Sequence, residues 1–300
     1  MTSKTIAFAP APTRENWRER TSAGRIAAKL LADGWAMAGL TIVVVFLAMA
    51  VLAPVLAPYE PTSSFIELRL RGVFTPGHLF GVDTQGRDVL SRVIYGSRVS
   101  MVTGLVPVAL SAILAIPLGL VAAHFSKSGA AIMRVMDVLF AFPMVLLAIL
   151  LASILGPGMG NLIAALVIVL LPFNTRVVYV EALGQKNAGY VDAARTLGTP
   201  THRILFREML PHVASSSIVY SLTIVGTIIV TAAGLSFLGL GVQPPTADWG
   251  LMTSEGRSVL YLAPHVASIP GLAIFTLVVG FNLLGDGLRE ALDPRSRGRS

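Results

Sequence analysis

Five stretches of this chain carry no Asp, Glu, Lys or Arg: Trp35 to Tyr59, Val99 to Ser126, Val138 to Thr175, His212 to Ala247 and Ser258 to Gly285. Apolar runs of this length belong in hydrocarbon, where each backbone N–H and C=O must find its partner inside the segment, so they fold as helices. Trp35 to Tyr59 suits a single crossing. Val138 to Thr175 as one helix would reach nearly twice the roughly 30 Å thickness of the hydrocarbon core. Gly156-Pro157-Gly158-Met159-Gly160 divides it into two helices joined by a tight turn. In His212 to Ala247, Gly239, Gly241, Pro244 and Pro245 fall late, leaving one helix followed by an elbow. The expectation is an all-α, polytopic membrane protein with six transmembrane helices.

Composition agrees. The chain is 54% hydrophobic and 13% charged, with a mean hydropathy of +0.73, whereas soluble domains carry about 25% charged residues. A pI near 10.1 invites a nucleic-acid reading, but the basic residues follow membrane topology instead of clustering on one face. There is no cysteine, which removes disulfides and thiolate metal sites. The polar, basic start lacks the apolar core of a cleaved signal peptide, and the first apolar run is too long to be one; it is expected to remain as an anchor.

Six spans put both termini on one side. That side collects seventeen of the 23 Lys and Arg, among them Lys4, Arg14, Lys127, Arg134, Arg176, Lys186, Arg195, Arg203 and Arg295. The opposite side keeps Arg69, Arg71, Arg87, Arg92, Arg98 and Arg257. Positive charge stays inside, so both termini and the loop around Asp192 are expected in the cytoplasm. The chain then divides into an N-terminal tail (1–34), a first transmembrane helix (35–59), an external elbow segment (60–97), a five-helix membrane domain (98–290) and a C-terminal tail (291–300). A loop at about 186–211 interrupts the membrane domain.

That loop, YVDAARTLGTPTHRILFREMLP from Tyr190 to Pro211, is a charged island between apolar runs. Tyr190, Ala193, Ala194 and Leu197 share one face of a short helix, and the two alanines leave little side chain between its backbone and whatever it touches. Gly198 suits a left-handed C-terminal cap. Thr199 is placed to cap the next helix with Pro200 in its first turn, and Leu210-Pro211 re-enters the membrane. The result would be a stiff helix–elbow–helix lever. Taken alone, the same pattern also fits an amphipathic helix lying between two spans.

The spacing from Asp192-Ala193-Ala194 to Gly198 and on to Leu210-Pro211 resembles the cytoplasmic coupling loop of ABC-importer permeases. Those proteins carry E-A-A-x-x-x-G-x(9)-I-x-L-P; here Asp192 replaces the glutamate, and Glu208 stands where isoleucine is usual. HLFGVDTQGRDVLSRVIYGSRVS, AGLSFLGLGVQPPTADWG and FNLLGDGLREALDPR are similar to segments of the C-type subunit of dipeptide, oligopeptide and nickel importers. The resemblance runs from the first span to Arg295. It implies a type I importer membrane domain working with a homologous permease subunit, two ABC ATPases that use ATP and magnesium, and a periplasmic or extracellular binding protein, in the bacterial inner membrane. On this resemblance Asp192, Ala193, Ala194, Gly198, Thr199, Pro200, Leu210 and Pro211 couple the membrane domain to the ATPases. Peptides are the first expected substrate, with nickel, glutathione, opines and oligosaccharides as alternatives.

Gly81, Asp83, Gly86, Arg87, Asp88 and Arg92 lie ahead of the second span and suit a structured external elbow. They either pair among themselves to hold it or touch the binding protein. Trp249 fits an interfacial anchor. Arg134 and Asp137 are three apart and can pair on one helix face. His124 and His212 have no metal-ligand spacing, and no substrate-binding residue can be named. No G-x-x-x-x-G-K-[ST] sequence occurs, so no cofactor, ATP included, is expected on this chain, nor any catalysis. A self-sufficient ion-coupled carrier, the rival from another class, would want intramembrane carboxylates or helices broken at the midplane, and neither is visible.

Overall fold

The computed structural model describes residues 28–292. The expectations for the tails beyond them lie outside the described residues. Five helices are long and apolar enough to cross a membrane: α1 (Gly34–Val51), α2 (Val89–His124), α5 (Met159–Gln185), α7 (Thr201–Phe237) and α9 (His265–Leu292). Between α2 and α5 lie α3 (Ser126–Phe140) and α4 (Met144–Leu155), bent 92° from each other, which make a sixth crossing if taken as one span. The short helices α6 (Gly189–Thr196) and α8 (Trp249–Arg257) sit at opposite ends of the bundle. Among the described residues there are isolated β-bridges and no strand.

The α3–α4 bend departs from the expected continuous third span. Ala141-Phe142-Pro143 forms the corner. Proline has no N–H to offer Leu139, and it disfavours helical geometry at Phe142 before it. The charges near the corner also pair differently from the local expectation. Asp137 does not pair with Arg134; it accepts a hydrogen bond from Nη2 of Arg176 on α5 at 2.6 Å, and that guanidinium lies 4.4 Å from the Phe140 ring centre.

Helix α2 begins ten residues before the charge-free stretch, at Val89, because Asp88 caps it: Oδ2 accepts from the Ser91 N–H at 2.7 Å. At 36 residues it is about 54 Å long, so its first turns project beyond hydrocarbon at the elbow end. Glycines allow the helices to approach closely, as is usual in membranes. A Cβ on Gly119 would fall 2.5 Å from Val178 of α5, and one on Gly39 would fall 2.7 Å from the Gly280 carbonyl of α9. The main apolar core gathers α2, α4, α5, α7, α8 and α9 around Leu166, Leu170, Ile228, Ile229, Leu235, Trp249 and Leu277. A second, smaller core lies under α6.

Candidate functional site

At the loop end, α6 is held chiefly by one buried side chain. Val191 is fully buried among Leu120 and Ala123 of α2, Val178 and Ala182 of α5, and Ile204, Leu205, Met209 and Val213 of α7. Tyr190 stacks on His212 at 5.2 Å between ring centres and donates to Gln185 Oε1 at 2.9 Å. Burial, then the nearby Glu208 carboxylate, raise the Tyr190 phenol above its ordinary pKa. Lys186 ties the loop to α2 by donating to the Ala123 carbonyl at 2.9 Å. The other face of α6 is bare: Ala193 is exposed, and Leu197 is 84% exposed. Asp192 and Arg195 pair on the exposed surface at 2.9 Å.

Gly198 has φ +73°. Its N–H reaches the Arg195 carbonyl at 2.9 Å, while the Thr199 N–H reaches the Ala194 carbonyl at 3.0 Å. These two bonds define a Schellman cap, which requires a left-handed residue where glycine stands. Thr199 does not cap the next helix. Pro200 takes the N-cap position, and no side chain bonds to the first turn. Residues Ile204–Met209 then form a π-helical turn, with Leu210 N–H bonding to Leu205 O. Pro211 follows at once; its missing N–H and its ring both conflict with the carbonyl four residues back, and a wider turn accommodates them. Glu208, the departure from the permease pattern, lies within this turn and is half-buried.

The elbow end is built from charge. Asp83 accepts from the Gln85 and Arg87 backbone N–H groups at 2.8 and 2.9 Å and from Arg87 Nε at 2.7 Å. Arg92 Nη1 also binds Asp83. Arg87 Nη2 and Arg92 Nη1 both donate to Glu255 Oε2 of α8 at 2.8 Å. Asp83 and Arg92 are each about 1% exposed. Asp88 stands apart from this network, capping α2 and bonding His78 Nδ1 at 2.9 Å. Gly81 and Gly86 take φ +78° at crowded turns.

Trp249 is not at the interface: it is fully buried, and its Nε1 donates to the Val93 carbonyl at 2.9 Å. Gly96 makes the room, since a Cβ there would lie 2.6 Å from the indole. Asp248 caps α8 through the Leu251 N–H at 2.8 Å. Burial pushes the Asp248 carboxyl upward in pKa, opposed by the Leu251 and Gly250 N–H groups and by the Arg92 charge.

The geometry is that of a helical membrane domain with a short helix docked at one end and one of its sides uncovered. A family model described as the binding-protein-dependent transport system inner membrane component matches residues 115–298. The chain belongs to this family. Residues 23–71 match a second model, the N-terminal TM domain of oligopeptide transport permease C, so the chain is a C-type permease. It is similar to the glutathione transport system permease protein GsiD of Pectobacterium atrosepticum, 42% identical over 285 residues, 95% of this chain and 91% of that one. GsiD of Escherichia coli O6:K15:H31 and of Shigella boydii serotype 4 are each 43% identical over 264 residues, 88% of this chain and 87% of theirs. Peptide specificity, the first expectation, is not what these relatives' names carry.

In this permease Asp83, Arg87 and Arg92, anticipated from sequence, do come together, without Asp88 and around a partner that spacing could not supply. Glu255 lies 163 residues after Arg92, and only the fold joins them. His265, which contacts the Val82 carbonyl at 3.3 Å, was missed for the same reason, while the bond of His78 to Asp88 and the capping role of Asp248 were missed although their partners lie close in sequence. A signal existed for Asp248, since an acidic residue directly before a helix start marks an N-cap.

Proposed function

We propose that this chain is one permease subunit of an ATP-driven importer, forming with a homologous subunit the path for glutathione or short peptides delivered by an external binding protein. Glutathione is itself a tripeptide, so the relatives' substrate and the expectation from the motifs meet in one class. Two ABC ATPases on the cytoplasmic side would do the hydrolysis, with ATP and magnesium held on those subunits. The positive-inside bias supports cytoplasmic termini and a cytoplasmic α6.

One observation carries this reading. Helix α6 is pinned through Val191 to the ends of three spans, while its Ala193 and Leu197 face is uncovered. A partner gripping that face moves α2, α5 and α7 together, and the Schellman cap at Gly198 keeps the lever from yielding. ATP acts by differential affinity for two states of the assembly, and the lever transmits the bias. The α3–α4 corner supplies the broken helix that a self-sufficient carrier would want, but that rival has no use for a pinned helix with one side left bare. The test is reconstitution. Glutathione uptake is expected only when the sister permease, both ATPases and the binding protein are present, and the purified single chain is expected to hydrolyse no ATP. Uptake by this chain alone would reject the reading.

A further inference from the structure

We propose that the cavity between the loop ends of α5, α7 and α9 is an exit site for the transported solute, and that it takes molecules carrying both an ammonium and a carboxylate group. This rests on the permease reading above, which puts that end in the cytoplasm. The cavity has a volume of about 500 Å³, and its lining includes Glu181 of α5, Ser216, Tyr220 and Thr223 of α7, and Arg289 of α9. Small-molecule sites typically measure about 300–1,000 Å³.

Three features define the ligand. First, Glu181 and Arg289 have opposite charges on one cavity, and among the described residues neither takes part in an ion pair. Unpaired charges are unfavourable against hydrocarbon and depleted from the centres of protein interfaces, which leaves a water-filled space as their natural setting. Second, one carboxylate and one guanidinium at fixed positions complement the two ends of a zwitterion, with arginine able to grip a carboxylate through two parallel hydrogen bonds. Third, the cavity opens onto a polar lane. Ser216, Tyr220, Thr223 and Thr227 recur at helical spacing on the side of α7 that this chain leaves partly or wholly uncovered, while Val225, Ile228, Ile229 and Ala232 are buried in the core. Thr223 Oγ1 donates to the Tyr220 carbonyl at 2.7 Å, so its lone pairs stay available to a passing donor. Uncharged hydroxyls offer weak, repeated contacts along the span, and the two charges meet the solute where the lane ends.

The test uses the complete importer in inside-out vesicles, with its binding protein in the lumen and the cytoplasmic face outward. ATP hydrolysis is measured while Ala-Ala, its C-terminal amide or its N-acetyl form is added outside, so discrimination by the binding protein does not intervene. Ala-Ala is expected to slow turnover, and each blocked form to need at least tenfold higher concentration. Arg289→Gln should erase the difference between the dipeptide and the amide; Glu181→Gln should erase that between the dipeptide and the N-acetyl form. Exchanging the charges (Glu181→Arg with Arg289→Glu) should restore the sensitivity that either reversal removes, and this decides the matter if a single reversal fails to assemble. Equal action of all three compounds on the wild type, or no action at all, overturns the proposal, as does a wild-type pattern in both glutamine variants. The permease reading fails on a separate measurement, the absence of any ATP-driven uptake dependent on the binding protein.

Discussion

The two ends of this permease solve opposite problems. At the elbow end, two carboxylates and two guanidiniums meet out of water: Asp83 and Arg92 are each about 1% exposed, and Arg87 and Glu255 complete the set. At the loop end a buried apolar peg, Val191, is the main hold on a helix whose other face leaves Leu197 84% exposed. The elbow finds its partners within the chain; the loop helix does not. Paired burial of charge makes a rigid cap over the elbow ends of α2, α8 and α9. A pinned helix that leaves Ala193 and Leu197 uncovered beside an exposed Asp192–Arg195 pair is open to a docking partner.

The largest effect should come from breaking the elbow network. Arg92→Met leaves Asp83 and Glu255 sharing Arg87 alone, and removing one member of a buried charge set costs about 3–5 kcal/mol. Membrane abundance and thermal unfolding of the purified assembly should both fall sharply. Were these charges instead a contact for the binding protein, abundance would hold and only affinity for that protein would drop. That outcome would reverse the contrast between the two ends.

Next is Gly198→Val. Nothing crowds this position, as no atom lies within 4 Å of a built Cβ, so the damage is purely conformational. A β-branched residue strongly resists φ near +73°. The helix cap loosens while the spans keep their packing. ATP-driven uptake should drop more than tenfold at unchanged abundance. Normal uptake would show that the lever tolerates a soft joint.

How much of this was legible in the sequence follows from the range of the forces involved. Span count came through because hydrocarbon imposes one rule on every residue of a run, so Trp35–Tyr59 and Ser258–Gly285 announce themselves. Gly198 was legible because its cap depends on neighbours within five residues. The α3–α4 corner was missed although Pro143 marks it, because the apolar run continues unbroken through the bend and hydropathy hides it. Arg176 was not assigned to Asp137, nor Glu255 to Arg92, because those partners meet only in the fold. Trp249 misled for a related reason: an aromatic near a span end suits an interface, and only the gap at Gly96 reveals that it turns inward.

A smaller effect is expected from Val191→Ala. Deleting a fully buried valine's methyl groups costs about 2 kcal/mol, too little to unfold the bundle but enough to loosen one peg. ATP hydrolysed per solute moved should rise several-fold, since the ATPases would still grip α6 while the spans follow less faithfully. An unchanged ratio would mean that Tyr190 and Lys186 hold the helix without it.

The smallest effect separates the local reading of Asp137 from the tertiary one. In the fold Asp137 bonds Arg176 with side chains 59% and 42% exposed, and water screens such pairs to about 0–1 kcal/mol. Arg134 makes no contact with Asp137, so Arg134→Gln should leave stability unchanged. A double-mutant cycle on Asp137→Asn and Arg176→Gln should give a coupling of a few tenths of a kcal/mol, and the same cycle with Arg134→Gln should give none. If the coupling appears with Arg134 instead, Asp137 pairs locally along α3 in the membrane, and the tie from α3 to α5 through Arg176 gives way to the pairing that sequence spacing alone suggests.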